Sequence, residues 1–225
     1  MDSGRGAESG PGMFGRFNPL YSLLIAALVI PAACAAPEQG ARGEGAEDAR
    51  QASTTADGEA AGVAQVRLDR SVLDDPSRPD EEKSQDAARK AIDVYEWLGI
   101  APGMKVADLF CSGGYNTHLL SRIVGPKGKV FGIFEFYANK ELFDGQLYKV
   151  DVMRERVAKN SLENVELMEK IAELPEEGLD AVLVVRNYHD VEWVFKDLQR
   201  KDVVASLYRA LKPGGVVGIV EVATD

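Results

Sequence analysis

From residue 70 onward, short apolar runs of the length of β-strands alternate with longer stretches whose apolar residues recur at helical spacing. Asp80 to Gly99 reads as a helix with Ala88, Ile92, Tyr95 and Leu98 on one face and Gly99 as its stop. Met104 to Phe110 is a short, β-prone run that enters the turn Cys111-Ser-Gly-Gly114. A helix from Tyr115 to Val124 follows, with Leu119, Leu120 and Ile123 inward, closed by Gly125-Pro-Lys-Gly128. Lys129 to Phe134 is the next strand, a helix is predicted around Lys140 to Lys159, and Val165 to Met168 forms a third strand. Leu179 to Val185 is a nearly continuous apolar strand, and a helix around Lys201 to Leu211 leads through Lys212-Pro-Gly-Gly215 into Val216 to Val222. Five strands separated by helices predict an α/β fold, a Rossmann-like doubly wound parallel sheet with helices on both faces, because parallel neighbours need long crossovers.

The first 65 residues have a different character. Leu20 to Ile30 is apolar, lies behind Arg5 and Arg16, and is followed by Pro31-Ala-Ala-Cys34-Ala-Ala36, so that residues 1–36 resemble a secretory or lipoprotein signal. Cys34 is then the lipidation point, or cleavage falls near Ala36; Pro31 departs from the usual lipoprotein box, and Met13 is an alternative start. Residues 37–65 lack large apolar side chains and read as a linker, leaving 66–225 as the folded domain. An exported chain, periplasmic or lipid-anchored to the envelope, is the expectation, with membrane contact only through the signal or Cys34.

Composition narrows the function. The 36 acidic against 26 basic residues give a formal net charge of −10, and no Lys precedes Lys83, so no broad basic face is available and nucleic acid is not an expected partner. Two cysteines, Cys34 and Cys111, support neither a disulfide framework nor a cysteine zinc site, and no metal is expected.

Ligands in such sheets bind beyond the carboxyl ends of the strands, and three ends carry chemistry. Asp108-Leu-Phe-Cys-Ser-Gly-Gly-Tyr115 takes a strand ending in an acid through two glycines into a helix, with Phe110 and Ser112 where a dinucleotide fingerprint has its first two glycines. Glu135 follows the next strand at about 20 residues' distance from Gly114, the interval of a ribose-binding carboxylate. Arg186-Asn-Tyr-His-Asp190 crowds polar and aromatic groups after an apolar strand, and His189 there is a candidate base, whereas His118, inside the helix that starts at Tyr115, reads as structural.

With these marks, Gly99 to Tyr115, Val124 to Val130, Asn187-Tyr-His-Asp190 and Leu211-Lys-Pro-Gly-Gly215, residues 76–225 resemble the class I S-adenosylmethionine-dependent methyltransferases, and within them the exported "predicted methyltransferase" group. The resemblance implies S-adenosylmethionine as cofactor, lying over the turn from Phe110 to Tyr115, with Asp108, Ser112, Gly113 and Gly114 lining its methionine end. Aligned on Val130-Phe-Gly132, the ribose acid falls on Phe134, one residue before Glu135, so either position is a candidate. The adenine-contacting position falls on Lys170 beside Glu169 and is unassigned. Asn187 and Tyr188 would orient a small-molecule O or N acceptor while His189, held by Asp190, takes its proton.

Such enzymes usually carry a further helix and an antiparallel hairpin after the fifth strand, and this chain stops at Asp225, so an uncovered sheet edge is expected; a truncated product is the favoured reading, beside closure by a partner subunit and a genuine minimal form. Two other readings compete. One is a hydrolase with Ser112 or Cys111 on a nucleophile elbow, in which Phe110 occupies a position that needs a small residue. The other is a non-catalytic, envelope-tethered nucleoside-binding protein.

Overall fold

The computed structural model describes residues 23–29, 66–135, 149–189, 191 and 200–222. They form a six-stranded sheet in the order β1-β6-β5-β2-β3-β4. The strands are β1 (Leu23–Val29), β2 (Lys105–Leu109), β3 (Lys129–Ile133), β4 (Val165–Met168), β5 (Leu179–Val185) and β6 (Leu211–Val222). β2 pairs in parallel with β3 and β5, β3 with β4, and β5 with β6. After the edge strand β1, the parallel part of the sheet begins in the middle at β2, works outward through β3 and β4, and then returns to the other side of β2 for β5 and β6. The switch in strand order therefore falls between β2 and β5.

The near-continuous apolar strands are explained by burial on both faces. Val106, Val130, Ala181, Leu183 and Val220 pack under α3 (Ala91–Trp97), α4 (Tyr115–Val124) and α5 (Lys149–Lys159), through Ile92, Tyr95, Leu119, Leu120, Ile123 and Met153. On the opposite face Ala107, Leu109, Phe131, Ile133, Val182, Val184 and Val217 pack with Val203, Leu207 and Ala210 of α6 (Arg200–Ala210) and with Ile171. Successive strand residues thus feed opposite cores, as a pleat of period two requires. Contact on the first face is close: a Cβ added at Gly218 of β6 would lie 2.4 Å from Leu98 Cδ1.

Three expectations change. Asp80 to Gly99 is not one helix but three, α1 (Asp80–Lys83), α2 (Asp86–Arg89) and α3, because Lys90 adopts a left-handed conformation, φ 49°. Asp86 explains the break: its carboxylate accepts two hydrogen bonds from Arg78 and one from the Tyr115 hydroxyl, and these tertiary bonds override the helical periodicity. Ala88 is consequently exposed. β6 starts earlier than predicted, at Leu211, which pairs with Leu179 before a register irregularity. Finally, the outer edge of β6 is not bare. Leu23–Val29, the centre of the signal-like run, pairs antiparallel with Val216–Val222 over seven residues and satisfies the backbone groups that an uncovered edge would leave open. The rest of residues 1–36, and residues 37–65, lie outside the described residues. Among the described residues no helix is long and apolar enough to cross a membrane.

Candidate functional site

The turn that leaves β2 is built by an unusual run of dihedrals. Phe110, Ser112 and Gly114 all have positive φ, at 59°, 52° and 87°. The fingerprint positions filled by Phe110 and Ser112 therefore keep a glycine-like backbone despite their side chains, at a cost of about 1–2 kcal/mol each. Gly114 is required for a second reason: a Cβ there would lie 2.0 Å from Met153 Sδ. At Gly113, by contrast, a Cβ would meet nothing within 4 Å among the described residues, so the backbone of the turn is open there with respect to them.

Asp108 stands behind the turn, buried at 1% exposure. Gly114 gives α4 no side-chain cap, and Asp108 takes over that task from the strand, accepting from the Thr117 hydroxyl at 2.6 Å and from the Thr117 amide. Burial pushes its carboxyl up to about 7 against these hydrogen bonds. Cys111 is buried, and burial pushes its thiol far up, so it is no thiolate nucleophile near neutral pH.

Sequence reasoning missed the group that fixes the turn. Arg156 of α5 donates to the Gly113 carbonyl at 2.8 Å, to both carboxylate oxygens of Glu82 at 2.6 and 2.7 Å, and through Nε to His118 Nδ1 at 3.0 Å. Because Nδ1 of His118 accepts, its proton sits on Nε2, which donates to Asp75 at 3.0 Å. Arg122 adds a bond to the same Asp75 oxygen. Burial lowers the affinity of His118 for a second proton, and Arg156 works in the same direction. His118 is thus the structural histidine expected. Arg156 could not be assigned from sequence, because its partners lie 38 to 74 residues away.

Tyr115 donates to Asp86 at 2.6 Å and carries the Arg89 guanidinium 4.4 Å above its ring. Desolvation lowers the Arg89 pKa, and Arg186 opposes its charge as well. Arg186, with φ 60°, ends β5 beside the turn, its amide bonded to Val220.

At the end of β3 the two candidate residues have different surroundings. Phe134 is buried with Cys111 and Leu167, whereas Glu135 lies beyond the strand and accepts from the Ile171 amide at 2.8 Å. After β4, Lys170 has its amide on Glu173, and Glu169 pairs with Arg154.

The loop after β5 brings Asn187, Tyr188 and His189 to the same edge. Asp190 lies outside the described residues. Among the described residues, a carboxylate on His189 is supplied by Glu221, near the end of β6. It accepts from His189 Nδ1 at 2.9 Å and from the Tyr188 amide at 2.9 Å.

The strand order and the glycine-bearing turn at the centre of the sheet decide the architecture: the domain is a Rossmann-like α/β sheet of five parallel strands with an antiparallel strand beside β6. Known proteins resemble it as follows. Residues 81–170 match the family model for protein-L-isoaspartate(D-aspartate) O-methyltransferase. An arsenite methyltransferase of Halobacterium salinarum is 34% identical over 132 residues, 56% of this chain and 29% of that protein. A demethylmenaquinone methyltransferase of Staphylococcus aureus is 34% identical over 134 residues, 57% of this chain and 47% of that protein. The chain therefore spans less than half the length of either relative. A SAM-dependent methyltransferase from Aquifex aeolicus superposes with a TM-score of 0.49 at 25% identity, covering 68% of this chain and 72% of that one. The family model matched over residues 81–170 points to S-adenosylmethionine as the cofactor. The residues present fit it: the open face of Gly113 and the N-terminus of α4 could receive its methionine portion, and Glu135, which follows β3, could offer a carboxylate to its ribose.

Proposed function

We propose that this protein is an S-adenosylmethionine-dependent methyltransferase acting on an O or N atom of a small molecule. The observation that carries the reading is the turn from Phe110 to Gly114, held in three left-handed residues at the carboxyl end of the central strand and open at Gly113. Strain of this kind persists where the surrounding structure enforces it, here through Arg156 and Asp108. When bound, the cofactor supplies a methyl group on a sulfonium, already activated for displacement. What remains for the protein is to align the acceptor and exclude water. Ser112 and Gly113 would hold the methionine portion, Arg89 is a half-buried cation suited to its carboxylate, and Glu135 offers a carboxylate to the ribose hydroxyls. Asn187, Tyr188 and His189 line the acceptor side.

The acceptors named for the two relatives, arsenite and a menaquinone precursor, are chemically unlike each other, so the relatives do not select one. Burial, which pushes the Cys111 thiol far up, disfavours the hydrolase reading with Cys111 as nucleophile, and for Ser112 the position two residues before it is filled by Phe110 rather than by a small residue. Membership of the exported group, and export itself through residues 1–36, belong to this proposal, supported by the apolar run behind Arg5 and Arg16; because Leu23–Val29 covers the edge of β6, the proposed exported form retains that segment. Methyl transfer from labelled cofactor to a panel of phenols and amines tests the function. A chain that binds the cofactor but methylates none of them would refute the acceptor class.

A further inference from the structure

We infer that Glu221 is the positioning residue that makes His189 a proton acceptor at Nε2, an inference that rests on the methyltransferase reading above. Residue 221 is the penultimate residue of β6, whereas His189 lies in the loop after β5, and the parallel register that sets Val185 against Val220 brings the two together. The Glu221 carboxylate is used three times. Oε1 accepts from the Tyr188 amide at 2.9 Å and, more weakly, from the His189 amide at 3.4 Å, and Oε2 meets His189 Nδ1 at 2.9 Å. The two amide bonds fix the backbone of the loop, and the third fixes the ring.

Its consequence is chemical. An ionised carboxylate only accepts, so Nδ1 must carry the proton in neutral His189, which leaves the lone pair on Nε2. The carboxylate would also stabilise the imidazolium once a proton arrives. The ring is 57% exposed and Glu221 only 20%, so the side chain that must move protons faces solvent while its orienter is sheltered. Both lie at the carboxyl edge of the sheet, and β5, the strand that leads to His189, is the direct neighbour of β2, the strand that leads to the turn at Gly113.

In the reaction, the acceptor X–H proton goes to Nε2 while the X–CH₃ bond forms and the S–CH₃ electron pair returns to sulfur, giving the neutral thioether. The imidazolium then loses its proton to solvent. His118 is a built-in reference, because its bond from Arg156 imposes the opposite tautomer, with the proton on Nε2.

The experiment is nitrogen NMR of the full chain labelled at its two histidines, with kinetics and cofactor titration on the same samples. The wild type should show one histidine protonated at Nδ1 and one at Nε2. Glu221→Gln, whose amide can donate to Nδ1, should turn His189 to the Nε2–H form. It should lower kcat about tenfold or more while leaving the affinity for S-adenosylmethionine unchanged. Glu221→Asp should restore the Nδ1–H tautomer and part of kcat. An Nε2–H His189 in the wild type, or a Glu221→Gln variant with the wild-type kcat, overturns the inference. A wild-type chain that does not bind the cofactor overturns the methyltransferase reading, whereas the tautomer is read without cofactor and tests the Glu221–His189 pair separately.

Discussion

Asp108→Asn isolates the energetic cost of holding an acid behind the cofactor turn. The side chain is 1% exposed and its carboxyl is raised to about 7, against about 3.9 for an ordinary Asp. Between these values the native state holds a proton that the unfolded chain has already lost. Stability from this group is therefore greatest at low pH and is lost as pH rises through about 7. From about pH 5.5 to about pH 8.5 the loss spans roughly 1.5 units, or about 2 kcal/mol at 1.36 kcal/mol per unit. Asn keeps an acceptor for Thr117 and does not titrate. Urea unfolding of the full chain and the variant at matched pH should then show the stability difference moving in favour of Asn by about 2 kcal/mol across that range. Taking the difference cancels the contribution of every other titrating group common to both proteins. A difference that stays constant within about 0.5 kcal/mol would refute the assignment of a raised pKa to Asp108.

Other expectations test separate parts of the structure. Gly114→Ala should destabilise by about 2–4 kcal/mol, combining left-handed strain with collision against Met153, and Met153→Ala in the same chain should recover only the steric part in denaturant unfolding. Arg156→Lys loses the paired bonds to Glu82 and the hold on Gly113, so stability should fall by about 3 kcal/mol and cofactor affinity should fall with it, both measured on the same preparation. For His118 the sign is opposite to that of Asp108. Its lowered native pKa makes stability fall as pH drops below about 6.5, and NMR titration should find this ring neutral below the ordinary histidine value. Removing residues 1–36 would uncover the edge of β6, and the shortened chain should show greater self-association than the full chain in sedimentation velocity.

The parallel core was legible because its strands are buried on both faces: Leu179–Val185 and Tyr115–Val124 fall where the periodicity puts them. Polarity at the strand ends likewise marked Asp108, Gly113, Gly114 and the loop at His189. What escaped depends on register and on distant partners. The break at Lys90 follows from Asp86 being held by Arg78 and Tyr115, which no local pattern encodes. Glu221 lies 32 residues from His189 and reaches it only through the pairing of β5 with β6, which adjacency in sequence does not encode. Leu23–Val29 has the composition of an export signal and of an edge strand alike, and composition alone cannot assign the pairing with β6 that the full chain shows. Phe110 and Ser112 illustrate the converse. Their side chains weaken the glycine fingerprint, yet their backbone keeps its shape.

Calorimetric titration of S-adenosylmethionine and S-adenosylhomocysteine into the full chain and a Gly113→Val variant tests most directly whether the turn receives the cofactor. The added Cβ meets no atom of the described residues within 4 Å, so the variant should fold while filling the space assigned to the methionine portion. The wild type should bind both compounds, and the variant should bind them at least about tenfold more weakly, a change of about 1.4 kcal/mol. Undiminished binding by the variant would place the cofactor elsewhere, and a folded wild type that binds neither compound would contradict the methyltransferase reading itself.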